Sequence, residues 1–119
     1  MKTDTTQMVS LHPYFKAKPG KLDEVQALLP AFVAKTTPEP ACLFYDFTLN
    51  GDELACREGY AGAEGALAHL DSVGALLGEM LKIADLIRLE IHGPAVELEK
   101  LKAPLSKLNP AWFIRQIGV

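Results

Sequence analysis

The stretch Cys42–Tyr60 reads CLFYDFTLNGDELACREGY. Two runs rich in aromatic and aliphatic residues, CLFYDFTL and ELACREGY, flank an Asn-Gly-Asp turn signal. Asn and Gly tolerate the positive φ of a tight hairpin turn, so the pattern predicts an antiparallel hairpin. Pairing centred on Asn50 and Gly51 sets Cys56 opposite Tyr45 and Cys42 opposite Gly59, out of register for a bridge. Two cysteines this far apart do not match a paired-spacing zinc site either. Both thiols are read as buried and reduced.

Upstream, MVSLHPYFK (8–16) alternates, with Val9, Leu11, Pro13 and Phe15 on one side and Ser10, His12, Tyr14 and Lys16 on the other. This predicts a strand with one dry face. Pro13 has no ladder donor, so the strand lies at an edge or places Pro13 where none is required. After the turn KPGK, Leu22, Val25, Leu29 and Phe32 recur at helical spacing, and Leu28 and Val33 widen the stripe. Pro30 predicts a kink or an early end, and TTPEPA stops the helix.

Downstream of the hairpin, a second helix is expected over about 63–83, with a break near Ser72–Gly74. In ADLIRLEIHG, Leu86, Arg88, Glu90 and His92 alternate with Ile87, Leu89 and Ile91, which predicts a strand. PAVELEKLKAPLSKL then gives a short helix that ends near Pro104, and AWFIRQI a fifth strand.

The order strand, helix, strand, strand, helix, strand is that of the split βαβ, ferredoxin-like plait. The fold class is therefore α+β: an antiparallel four-stranded sheet with its helices on one face, plus an extra C-terminal helix and strand. The 119 residues, 49% of them hydrophobic, fit a single domain over residues 8–119 behind a disordered leader, 1–7. A formal charge of -3 without a basic stripe argues against a nucleic-acid partner. No apolar run approaches the ~20 residues that span a bilayer, so no membrane partner is expected and the location is read as cytoplasmic.

Ile87, Leu89 and Ile91 are expected to meet the helices, leaving Arg88, Glu90 and His92 on the open sheet face with residues of the first strand. The second helix carries one stripe of Leu67, Leu70, Gly74, Leu77 and Leu81 and a second of His69, Val73, Leu76 and Met80. One sheet does not need so wide an apolar arc, so the second stripe should face a cavity or a partner. Excess dry surface on the open face points to a homodimer formed through it, with Arg88 and Glu90 pairing across the interface.

The segments KAKPGK, EPAC followed by LFYDF, REGY, and the histidine-bearing helix AEGALAHLDS together resemble the antibiotic biosynthesis monooxygenase-like family of dimeric α+β barrels. The resemblance covers about Met8–His92 and rests on order and spacing. It implies a homodimer with a small pocket in each subunit between sheet and helices. Catalytic members oxidise quinol-like or polycyclic aromatic substrates with dioxygen and no metal or flavin, the substrate anion itself reacting with oxygen. The heme-degrading branch is set aside, because Pro13, Tyr60 and Glu79 stand where it resembles an asparagine, a tryptophan and a ligand histidine.

On this reading no cofactor or metal is expected, and the partner is a small aromatic ligand. His69 is the general base, Glu58 and Tyr60 orient it, and Arg57 or Arg88 stabilises a phenolate. Phe47, Leu76 and Met80 form the dry wall, and Tyr14 is a further ligand contact. Whether Glu58 faces the pocket depends on the hairpin register. The competing readings are a hydrogen-bonded core histidine in a non-catalytic, ligand-binding or stress-associated dimer, and, more remotely, a metal site of His12, Glu90 and His92. Trp112 and Phe113 either wall the pocket or dock on a partner subunit.

Overall fold

In the computed structural model, which describes residues 4–119, Cys42–Asn50 (β2) and Glu53–Tyr60 (β3) pair antiparallel around Gly51 and Asp52. Gly51 has φ +61° and Asp52 has no positive φ. That is the pattern of a type II′ turn, with glycine at the first central position. The turn sits one residue later than the Asn-Gly signal suggests, so Cys56 faces Phe47 and Cys42 faces Tyr60. From Phe44 to Asn50 the slip is two residues and preserves each side chain's face, an irregularity between Cys42 and Phe44 makes it one at Cys42, and both cysteines are free.

The remaining elements are Val9–Ala17 (β1), Leu22–Thr36 (α1), Ala63–Ser72 (α2), Gly74–Ile83 (α3), Ala84–Gly93 (β4), Ala95–Leu105 (α4), a 3-10 turn at Ser106–Leu108 and Ala111–Ile114 (β5). The sheet order is β2-β3-β1-β4-β5. The first four strands are antiparallel neighbours in the expected plait order, and β5 adds a parallel edge beside β4, making the sheet mixed.

β1 is central despite Pro13. Its pairing with β3 runs Val9 to Leu11 and resumes at Tyr14, skipping His12 and Pro13, while the β4 side pairs Pro13 with Leu89. The missing donor thus interrupts one ladder only. A register shift between Tyr14 and Phe15 leaves Ile87 without a β1 partner. Ile87 is consequently exposed and Leu86 packs with the core instead, which corrects the expected alternation. Helix α1 runs through Pro30 to Thr36, contrary to an early end. Pro30 and Gln26 both lie on its wet side, where water can satisfy the freed carbonyl.

The helices cover one sheet face with two apolar clusters. One joins Val9, Leu11, Tyr60 and Ile91 to Leu98 and Leu101 of α4, and the other joins Phe15, Val25, Phe32 and Leu54 to Val73 and Met80. The carboxylate of Glu97 on α4 accepts the Ala63 N–H at 2.9 Å, capping α2 where Gly62 offers no side chain. The part of the expected leader that is described forms a turn, Thr6 N–H and Oγ1–H both donating to Asp4 Oδ1, and residues 1–3 lie outside the described residues. Among the described residues no helix is long and apolar enough to cross a membrane.

Helix α2 lies close to the sheet because its inner side is small. A Cβ on Gly65 would come within 2.7 Å of Ala41 Cβ and 3.3 Å of Tyr60 Cβ. Gly65→Ala is therefore expected to destabilise by about 1–3 kcal/mol in chemical denaturation, overriding alanine's better helix propensity.

Candidate functional site

Alternation along β3 turns Leu54, Cys56, Glu58 and Tyr60 toward the helices and Arg57 away from them. The register therefore sends Glu58 inward. Ala63, Ala66 and His69 form the buried side of α2, and the two alanines let the helix approach until the imidazole meets β3. The third contributor is Glu39, from the loop between α1 and β2.

These side chains form one chain of polar contacts. Tyr60 Oη donates to Glu58 Oε1 at 2.7 Å, and His69 Nε2 lies 3.4 Å from the same oxygen. On the other side of the ring, Nδ1 is 3.1 Å from both oxygens of Glu39. An ionised carboxylate only accepts, so Glu39 assigns the proton to Nδ1 and leaves Nε2 facing Glu58. The ring also packs against Tyr45 and Tyr60, each with its centroid 5.1 Å away. His69 is 2% exposed and Glu58 5%.

Burial dominates the electrostatics. It raises the Glu58 carboxyl above its ordinary value, against the opposing pull of the Tyr60 hydroxyl and of His69. Burial, with the Glu58 carboxylate adding to it, pushes the Cys56 thiol and the Tyr60 phenol up as well, and Tyr45 rises chiefly by burial. Cys56 thus stays a thiol at neutral pH and is no nucleophile.

A cavity of about 110 Å³ lies between the two core clusters. Its polar groups are Tyr45, Cys56, Glu58 and His69, and its walls are otherwise apolar, from Phe32 and Phe47 to Met80 and a set of leucines. Among the described residues neither lysine nor arginine lines it.

Of the residues singled out from sequence, His69, Glu58 and Tyr60 come together, and Phe47 and Met80 line the cavity. Leu76 packs against the neighbouring cluster without lining the cavity. Tyr14, Arg57 and Arg88 stand on the opposite sheet face. Tyr14 pairs with Ala55 and Arg88 there, and Arg57 forms a two-pronged contact with Asp46 at 3.0 and 2.9 Å. Arg88 pairs with Glu90 of its own strand at 2.6 Å, so that pair is made within the chain. His12 and His92 meet edge to face at 4.9 Å, but among the described residues no cluster of three or more His, Cys, Asp or Glu is arranged to hold a metal. Trp112 packs into the core, whereas Phe113 stacks on His92 over the open face. Glu79 is exposed and pairs with Lys82.

Sequence reasoning missed Glu39 and Tyr45. Glu39 lies 30 residues from His69 in a loop without periodicity. Its one signal is an acid held between Pro38 and Pro40, where the backbone is stiff.

No family model matches the chain, and no curated protein matches it. Among solved structures it is similar to MupZ from Pseudomonas fluorescens, with 36% identity and a TM-score of 0.91 over 95% of this chain and 93% of that one. It is similar also to a protein described as a candidate antibiotic biosynthesis monooxygenase from Chloroflexus aurantiacus, at 23% identity and TM-score 0.62 over 75% of this chain and 94% of that one. Another so described, from Caulobacter crescentus, matches at 22% identity and TM-score 0.64 over 72% and 88%. At such identities the last two share the fold.

Proposed function

We propose that the chain, which shares the fold of proteins described as antibiotic biosynthesis monooxygenases, belongs with that family and is a proton-transfer catalyst acting on an apolar small molecule in the cavity, as a cofactor-independent monooxygenase of a quinol-like or phenolic compound. The observation that carries this reading is the chain Glu39, His69, Glu58 and Tyr60, of which His69 and Glu58 line a largely apolar cavity. His69 Nε2 takes a proton from the substrate, and Glu39 holds the ring in the tautomer that permits it. With no arginine or lysine lining the cavity among the described residues, the substrate anion is met by the imidazolium it has just created.

For a substrate with an acidic CH₂ beside an aromatic ring, the carbanion gives its electron pair to dioxygen. A C–O bond forms, and the hydroperoxide loses water to leave a carbonyl. One oxygen atom ends in the product and the other in water, and the substrate supplies both hydrogens. The reading includes a homodimer through the open sheet face, where Phe44 and Phe113 are 41% and 42% exposed.

A second reading keeps the proton transfer and omits oxygen: the proton returns to another atom of the same molecule. The Glu58 carboxyl beside His69 in the cavity favours it, since burial raises its pKa and so favours its proton-donating form.

Oxygen uptake across a panel of quinols, anthrones and flavonols tests the first reading. Uptake by the wild type that is lost in His69→Ala supports it. Proton exchange without uptake supports the second, and neither one with a bound ligand leaves a binding protein. Glu39→Gln is expected to lower turnover at least about tenfold with little change in KM, because the amide no longer fixes the tautomer. Steady-state kinetics and ¹⁵N spectra of the ring nitrogens check this.

A further inference from the structure

We infer that the cavity takes a ligand bearing an aliphatic chain, whose hydrogen-bonding head sits at Glu58 and His69 and whose chain leads out past Leu77, Leu81 and Leu108. The inference rests on the cavity being the functional site, and it specifies what kind of molecule enters. Its starting point is size. A partly open cavity of about 110 Å³ is smaller than the ~150 Å³ cavity that holds a single benzene. Its inner end therefore takes one ring of a ligand. The rest of any larger ligand lies along whichever part of the lining reaches the surface.

That part is leucine. Leu81 on α3 and Leu108 in the 3-10 turn both line the cavity, and each is 45% exposed. Leu77 lies one turn before Leu81, and Leu105 ends α4 just ahead of Leu108. The outlet thus runs between α3 and the end of α4, and it offers neither a charge nor an aromatic face to stack on. An alkyl chain is what such a path stabilises. The interior differs in kind: Phe32, Phe47, Tyr45 and His69 touch successively, with ring centroids 5.9, 5.3 and 5.1 Å apart. The head is therefore flat and hydrogen-bonding. It is neutral on entry, because the buried Glu58 carboxyl lines the cavity and among the described residues no lysine or arginine does.

The test is anaerobic calorimetric titration of the full chain with 4-n-alkylphenols of rising length. Kd is expected to fall roughly threefold to fourfold per methylene, until the chain outruns the leucine edge. Leu108→Lys places a charge on that path at an exposed position, so the fold is retained. It should remove most of the gain for the longer members relative to phenol. A Kd independent of chain length, no binding by any member, or an equal gain in Leu108→Lys overturns the inference. The measurement needs no turnover, so a chain-length gain without oxygen uptake upholds the inference while the monooxygenase reading fails. Turnover of short phenols with a flat series does the reverse.

Discussion

Replacing His69 with alanine is expected to lower turnover per folded molecule by about 10²–10⁴-fold, the usual contribution of a positioned general base. The imidazole touches both carboxylates, with Glu39 on Nδ1 and Glu58 across from Nε2. Its removal also leaves Glu39 and Glu58 without their shared partner and opens a void beside Tyr45 and Tyr60. A stability loss of about 2–4 kcal/mol is therefore expected as well. The two effects are separable. Turnover is normalised to folded protein by circular dichroism, and free imidazole is added to fill the void. Partial rescue marks a base, whereas activity that merely tracks the folded fraction marks a core histidine.

Glu58→Gln is the second large effect, and its sign on stability is opposite. Burial raises the folded-state pKa of Glu58 above its ordinary 4.5. Above pH 4.5 the folded chain then holds a proton that the unfolded chain has released. Stability linked to this group is fully present below pH 4.5 and is lost as pH rises through the raised folded value. Glutamine keeps the shape, still accepts from Tyr60 and carries no such proton. The variant should therefore gain on the wild type as pH rises, with a higher Tm at neutral pH and no advantage in acid. Thermal melts of both proteins across pH 4–8 check this. Turnover should fall at least about tenfold under the non-oxidative reading, which needs the acid proton, and less under the oxidative one.

Much of this was legible in the chain. Period-two alternation placed Val9, Leu11 and Phe15 against the helices, and the turn signal placed the hairpin. The break at Val73 followed from Ser72 and Gly74. What failed to show were features set by pairing between strands. The turn moved to Gly51 and Asp52, and the irregularity between Tyr14 and Phe15 exchanged Leu86 for Ile87 at the core.

The site was half legible for the same reason. His69, Glu58 and Tyr60 are marked by position on periodic elements, whereas Glu39 arrives from a loop whose path no periodicity records. The arginines show the reverse error. The alternation of β4 already put Arg88 on the face away from the helices, so its proposed contact with a phenolate conflicted with its own strand. Charge complementarity alone was a poorer guide than side-chain parity.

The central claim is that His69 moves a proton to and from a molecule held in the cavity. Its most direct test is hydrogen–deuterium exchange at the acidic CH₂ of an anthrone in anaerobic D₂O, followed by proton NMR after calorimetry has shown that the anthrone binds. The account predicts that the wild type accelerates exchange well above buffer and that His69→Ala does not. A bound anthrone that exchanges no faster with the wild type than in buffer would contradict it.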